Sequence, residues 1–172
     1  IASAAGISVF ATGGLGGVHR GARETWDESA DLSALASIPI LVVCAGAKSI
    51  LDVPATLERL ETLSVPIIGY RTNRFPGFYL ADSGYPLEYR CDEAEEIAAI
   101  WKSRSDVGTI NSGLVVAQPV TNEMDRTVHD SLLKEGLAAA ESARISGKGV
   151  TPFLLEYFHT HSNGESMRVN VD

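Results

Sequence analysis

Cysteine, basic charge and long apolar runs are all scarce in this chain. Cysteine occurs twice, at Cys44 and Cys91, which leaves no disulfide framework and no four-cysteine metal site. A reduced intracellular setting, the cytoplasm, is the expectation. Basic residues number 14 against 22 acidic ones, for a net charge of −8. With no basic stripe, broad nucleic-acid binding is disfavoured. No apolar run approaches the roughly 20 residues needed to span a membrane. The opening residues do not read as a secretory signal, because the first basic residue, Arg20, follows glycine-rich sequence.

What remains is ordinary for a globular protein: 172 residues, 45% hydrophobic and 21% charged. That length supports one core, so a single domain over 1–172 is expected. The first residue is Ile1 rather than Met, and strand-like sequence follows almost at once. The expectation is a chain that starts inside a larger protein.

Apolar periodicity predicts alternating strands and helices. Strands are expected over 7–11, 38–45, 65–70 and 113–117. Residues 38–45, Ile-Pro-Ile-Leu-Val-Val-Cys-Ala, suit a strand buried on both faces. Helices are expected over 31–37, 49–63, 92–101 and 122–144, with another opening at Thr151-Pro152. Residues 71–89 read as loop with a short strand near Phe78, and 163–171 favour no element. The alternation implies an α/β fold: a largely parallel sheet between two helical layers, here apparently incomplete at its N-terminal side.

The densest signal is Thr12-Gly-Gly-Leu-Gly-Gly-Val-His-Arg-Gly21, directly after the first strand. Glycines let backbone approach a ligand closely, and N–H groups after a strand can cradle a phosphate. An irregular turn is the plain alternative. A dinucleotide fingerprint fails at His19, and Gly46-Ala47-Lys48-Ser49 is not a Walker loop. His19 and Arg20 can bind anionic oxygens or sit exposed. Asp27, Glu28 and Asp31 surround Ser29; such a cluster can hold a hard cation, or Ser29 and Asp31 can simply begin a helix. Lys48 lies just beyond a buried strand, where α/β sheets bind ligands. Desolvation there favours the neutral, nucleophilic amine. An ordinary surface lysine is the alternative. His159 and His161 read as structural or exposed, and the aromatics of 70–89 as packing.

Several strings together resemble the pseudouridine-5′-phosphate glycosidase family, also called indigoidine synthase A-like. They are Phe-Ala-Thr-Gly-Gly-Leu-Gly-Gly-Val-His-Arg-Gly (10–21), Ser-Ala-Asp-Leu (29–32), Val-Cys-Ala-Gly-Ala-Lys-Ser-Ile-Leu-Asp (43–52), Leu-Glu-Thr-Leu-Ser-Val-Pro-Ile-Ile-Gly-Tyr (60–70), Val-Thr-Pro-Phe-Leu-Leu (150–155) and the Asn163-Gly164-Glu165-Ser166 turn. The resemblance implies reversible cleavage of the C–C glycosidic bond of pseudouridine 5′-phosphate to uracil and ribose 5-phosphate. It implies Lys48 as the nucleophile that adds to C1′. Asp27 would hold Mn²⁺ or another divalent cation, largely through water. Ser29, Ala30 and Asp31 would contact substrate, Thr12 and His19 would lie by the ribose phosphate, and Asn170 would reach the base. A homotrimer and small-molecule partners follow from the same resemblance. So does a family chain that is longer at its N-terminus, where the glutamate proton donor and a phosphate-contacting lysine lie. The competing expectation is a non-catalytic phosphate- or nucleotide-binding module, or an inactive fragment of the enzyme. A Rossmann oxidoreductase is the more remote third.

Overall fold

The computed structural model describes residues 1–108 and 111–171. Five strands form one sheet: β1 (Val9–Thr12), β2 (Leu41–Cys44), β3 (Ile67–Tyr70), β4 (Arg90–Cys91) and β5 (Leu114–Ala117). Their spatial order is β1-β2-β5-β3-β4, and every neighbouring pair is parallel. The expected α/β architecture is therefore present. The expected strand near Phe78 is not: Gly77 makes only an isolated bridge with Gly46, and the fourth strand forms at Arg90–Cys91.

Side-chain alternation along β2 and β5 divides the core. Val42, Cys44 and Val115 face α2 (Ala30–Ser37) and α3 (Val53–Thr62), whose Leu32, Leu35 and Leu60 close that side. Leu41, Leu114 and Val116 point the other way, toward Ile97 and Trp101 of α4 (Ala94–Ser103). Both faces of the central strands are thus covered, which is why their sequences read as unbroken apolar runs. At the sheet margin, β1 leaves Val9 and Phe10 54% and 45% exposed.

Helix boundaries follow local capping. Asp52 accepts from Ala55 N–H, so α3 starts only at Val53 rather than at Ser49. Asp125 accepts from the N–H groups of Thr127 and Val128, which delays α5 (Arg126–Ser142) past Asn122. Glu93 and Glu96 form a capping box at α4. Among the α-helices, two escape the sequence pattern, the four-residue α1 (Ala22–Thr25) and α7 (Glu165–Val171). With α5 and α6 (Val150–His161), α7 encloses a further core. Leu132, Leu154, Phe158 and Val169 pack there on Ile50, Leu51, Phe78 and Tyr79 from the loops at the sheet's carboxyl edge.

The parallel ladder continues past β1 and β2 into the loops that follow them. Ala45 N–H donates to Gly13 O (2.8 Å), Leu15 N–H to Gly46 O (2.9 Å) and Lys48 N–H to Leu15 O (3.3 Å). Segment 27–29 then runs antiparallel to 17–19: His19 N–H donates to Asp27 O and Ser29 N–H to Gly17 O. This close layering needs glycine. A Cβ on Gly16 would collide with the Ser29 side chain and stand 2.9 Å from Asp31 Oδ2. Gly46 holds φ +78°, and its missing Cβ makes room for the Pro76 carbonyl.

Two stability effects follow. Gly16→Ala overpacks the loop, a change that typically costs about 1–3 kcal/mol; thermal unfolding should show a Tm lower by about 3 °C or more. His129 is 3% exposed, and burial pushes its pKa below the ordinary value. Below about pH 6.5 the unfolded chain binds a proton that the folded chain refuses, so stability falls as pH drops through that region. Urea unfolding at about pH 7.5 and 5.5 should reveal the loss, and it should be smaller in His129→Gln.

Candidate functional site

The carboxyl ends of β1, β2 and β5 open onto a cleft, the position where parallel sheets of this kind bind ligands. Its main chamber encloses about 560 Å³, and a neighbouring one of about 320 Å³ shares Thr12, Gly13, Phe78 and Asn170 with it. Lys48 lines the larger chamber and is half-buried. Its Nζ donates to Gly14 O at 3.3 Å, so the ammonium end lies against the glycine loop. The extended pairing of the loops after β1 and β2 produces this juxtaposition across 34 residues of sequence.

Thr12, Lys48 and Asn170 therefore share one cleft, although they come from a strand end, a loop and α7. Asn170 is exposed and borders both chambers. The other candidate residues sit elsewhere around the loop. Ser29 Oγ accepts from Asp31 N–H and caps α2 (3.2 Å), while Asp31 Oδ2 accepts from Gly16 N–H (2.8 Å). Both side chains brace the glycine loop from behind. Ala30 opens α2 and is exposed.

The three clustered carboxylates do not converge. Glu28 pairs with Arg59 at 2.9 Å, Asp31 faces Gly16, and Asp27 turns toward His19. Among the described residues no group of three or more His, Cys, Asp or Glu side chains is arranged to hold a metal ion. Asp27 is nevertheless distinctive. Its Oδ2 is buried and makes no hydrogen bond. His19 Nδ1 stands 3.5 Å from it, within ion-pair range, but lies closer to Thr151 Oγ1 at 3.0 Å. An orphaned carboxylate oxygen is costly. The donor set does not fit an ion ligated wholly by protein, and a hard cation held there would have to keep most of its water.

Much of the cleft wall lies outside the sequence-level candidates. Pro152, Leu155, Glu156 and His159 form one stripe of α6 facing the larger chamber. Their spacing of three and four residues was the available signal; His159 is exposed as expected, yet it borders the cleft. Phe78 and Tyr79 are packed as expected and also supply the cleft floor. Burial raises the Tyr79 hydroxyl to about 12, which keeps it a neutral hydrogen-bonding group. Cys44, buried beneath the smaller chamber, is likewise raised to about 12 and is held as the inert thiol. Among the described residues no helix is long and apolar enough to cross a membrane.

Comparison with known proteins follows the same strings and loops. The family of indigoidine synthase A like proteins matches residues 1–172. A pseudouridine-5′-phosphate glycosidase of Salinispora tropica is 54% identical over 99% of this chain, and one of Caldanaerobacter subterraneus subsp. tengcongensis is 47% identical over the same share. The chain spans 53% and 56% of those relatives' lengths. The prealnumycin C-glycosynthase AlnA, solved in complex with ribulose 5-phosphate, superposes with a TM-score of 0.91 at 33% identity. That match covers 98% of this chain and 56% of AlnA. An indigoidine synthase A-like protein of Thermotoga maritima superposes at 0.85, with 38% identity over 98% of this chain and 55% of its own. With the family match running end to end and its fold shared by these structures, the chain belongs to the indigoidine synthase A-like family.

Proposed function

We propose that this chain supplies the lysine-bearing part of a pseudouridine-5′-phosphate glycosidase. The observation that carries the reading is Lys48: its amine lies in the cleft, against the glycine loop, within a family whose relatives carry that name. The neighbour AlnA binds a five-carbon sugar phosphate, which supports a pentose phosphate as the ligand here.

In this reading the neutral Lys48 amine adds to C1′ of pseudouridine 5′-phosphate. The C1′–O4′ bond breaks, and its electron pair goes to O4′, which takes a proton from an acid. The resulting ammonium gives up a proton, the lysine nitrogen donates the freed lone pair to form a C1′=N bond, and the C1′–C5 bond to uracil breaks. Uracil leaves with that pair and is protonated at C5. Water adds to the C1′=N bond, releases ribose 5-phosphate and restores the amine. Covalent addition thus divides one difficult C–C cleavage into easier steps. Held phosphate lets remote binding energy place C1′ against Nζ. Thr12 and His19 would serve the phosphate side, Ser29, Ala30 and Asp31 the sugar, and Asn170 the base. Asp27 would hold Mn²⁺ or another divalent cation largely through water, and the bound ion would supply positive charge toward the anionic substrate. A homotrimer belongs to the same reading and rests on the family resemblance, while a cytoplasmic setting rests on the scarcity of cysteine.

The decisive test is reductive trapping. Borohydride with ribose 5-phosphate should add the mass of the reduced sugar phosphate at Lys48 in the intact protein, and Lys48→Ala should abolish it. Labelling that persists in Lys48→Ala overturns the assignment. Asp27 is tested without turnover: Asp27→Asn should weaken Mn²⁺ binding about tenfold or more, followed by the paramagnetic resonance of the free ion. Unchanged Mn²⁺ affinity removes Asp27 as its holder.

A further inference from the structure

The turn that carries Lys48 is gripped from two sides by groups that never reach the cleft. Arg20 sits at the end of the glycine loop. Its Nε donates to Ile50 O at 2.9 Å, and its second guanidinium nitrogen donates to Ser49 O at 3.1 Å. From the opposite side, α5 brings His129 to Ser49. Ser49 Oγ lies 2.6 Å from His129 Nε2, and Asp130 Oδ1 lies 2.9 Å from His129 Nδ1. A carboxylate only accepts, so Nδ1 carries the proton and donates to Asp130. Burial keeps the ring neutral by lowering its pKa. Nε2 is then the acceptor, and the Ser49 hydroxyl donates to it. Ser49 and His129 are 7% and 3% exposed, so water cannot replace this bond cheaply.

The Ser-His-Asp order resembles a hydrolytic triad, but Ser49 Oγ faces packed protein, and neither chamber of the cleft includes it. The network has another consequence. Ser49 is the residue after Lys48, and fixing both its side chain and its carbonyl fixes the peptide from which Lys48 projects. The remaining freedom is removed by Lys48 N–H on Leu15 O and Leu51 N–H on Lys48 O.

We infer that Arg20 and His129 are positioning residues for the Lys48 amine, acting through Ser49. Arg20 links the glycine loop, which faces the substrate's phosphate side, directly to the lysine turn. His129 fastens the same turn to α5, the helix against which the cleft-lining α6 packs. The device sets the separation between loop and nucleophile, which substrate positioning requires and simple stability does not. This inference rests on the Lys48 adduct proposed above.

The test measures single-turnover trapping of ribose 5-phosphate by borohydride in the intact protein, with sugar-phosphate concentration varied. Arg20→Lys keeps the charge and loses the two-pronged fork, and Ser49→Ala removes the hydroxyl. Each should slow the saturated rate about 10- to 100-fold, as a small misplacement of a reacting group does. The half-saturating concentration should change less than about threefold. Circular dichroism measures the folded fraction, and rates are taken per folded molecule. His129→Gln, which offers an acceptor in place of Nε2, should recover part of the rate lost in His129→Leu. Wild-type saturated rates per folded molecule in Arg20→Lys and Ser49→Ala overturn the inference. So does a loss confined to half-saturation. Absence of any adduct at Lys48 in the wild type overturns the glycosidase reading itself, a separate outcome.

Discussion

Everything functional here depends on a hydrogen-bonded ladder that outlasts its strands. β1 and β2 end at Thr12 and Cys44, yet the two segments stay paired through Gly13, Leu15, Ala45, Gly46 and Lys48. A loop that leaves a parallel sheet normally diverges toward its helix. Here both loops continue side by side, so a glycine-rich backbone and a lysine side chain meet over a common cleft. The glycines make this possible by absence of Cβ rather than by flexibility. Gly16 lies on the Ser29 side chain, and Gly46 lies under the Pro76 carbonyl.

Around that ladder, side chains with apparent catalytic potential are spent on construction. Asp31 closes an N–H of the glycine loop, Ser29 caps a helix, and Glu28 pairs with Arg59. The first two bonds satisfy backbone donors that the loop and the helix start would otherwise leave unpaired. Bracing and binding are compatible roles, because a loop held from behind presents its other face unchanged. Asp27 differs in having a buried oxygen with no hydrogen bond. The contrast separates it from neighbours that share its chemistry.

The helical cluster α5–α7 completes the site from outside the sheet. It buries Ile50 and Leu51 just after Lys48 and contributes a cleft wall through α6 and Asn170 of α7. Lys48 is thus fixed by sheet loops on one side and by a separately packed helical unit on the other. A disturbance of either packing surface is transmitted to the same short turn.

The alternation of strands and helices was legible because both faces of β2 and β5 are buried, leaving apolar runs that periodicity detects. The glycine loop and Lys48 were legible as local strings. Helix starts were legible only to within a few residues, because Asp52 and Asp125 decide them through single capping bonds. Residues 163–171 were illegible because α7 is short and docks through Val169 into the core of α5 and α6, a contact that local sequence does not announce. The cleft-facing stripe of α6 carried the right spacing, but periodicity cannot say what a helix faces. The carboxylate cluster was ambiguous for the same reason. Adjacency in sequence does not fix direction, and pairing of 27–29 with 17–19 sends its side chains to different partners. Sequence alone determined the layers and the chemistry available. Tertiary structure decided which of those groups meet, because contacts such as Ser49 with His129 join positions 80 residues apart through packing that no local pattern encodes.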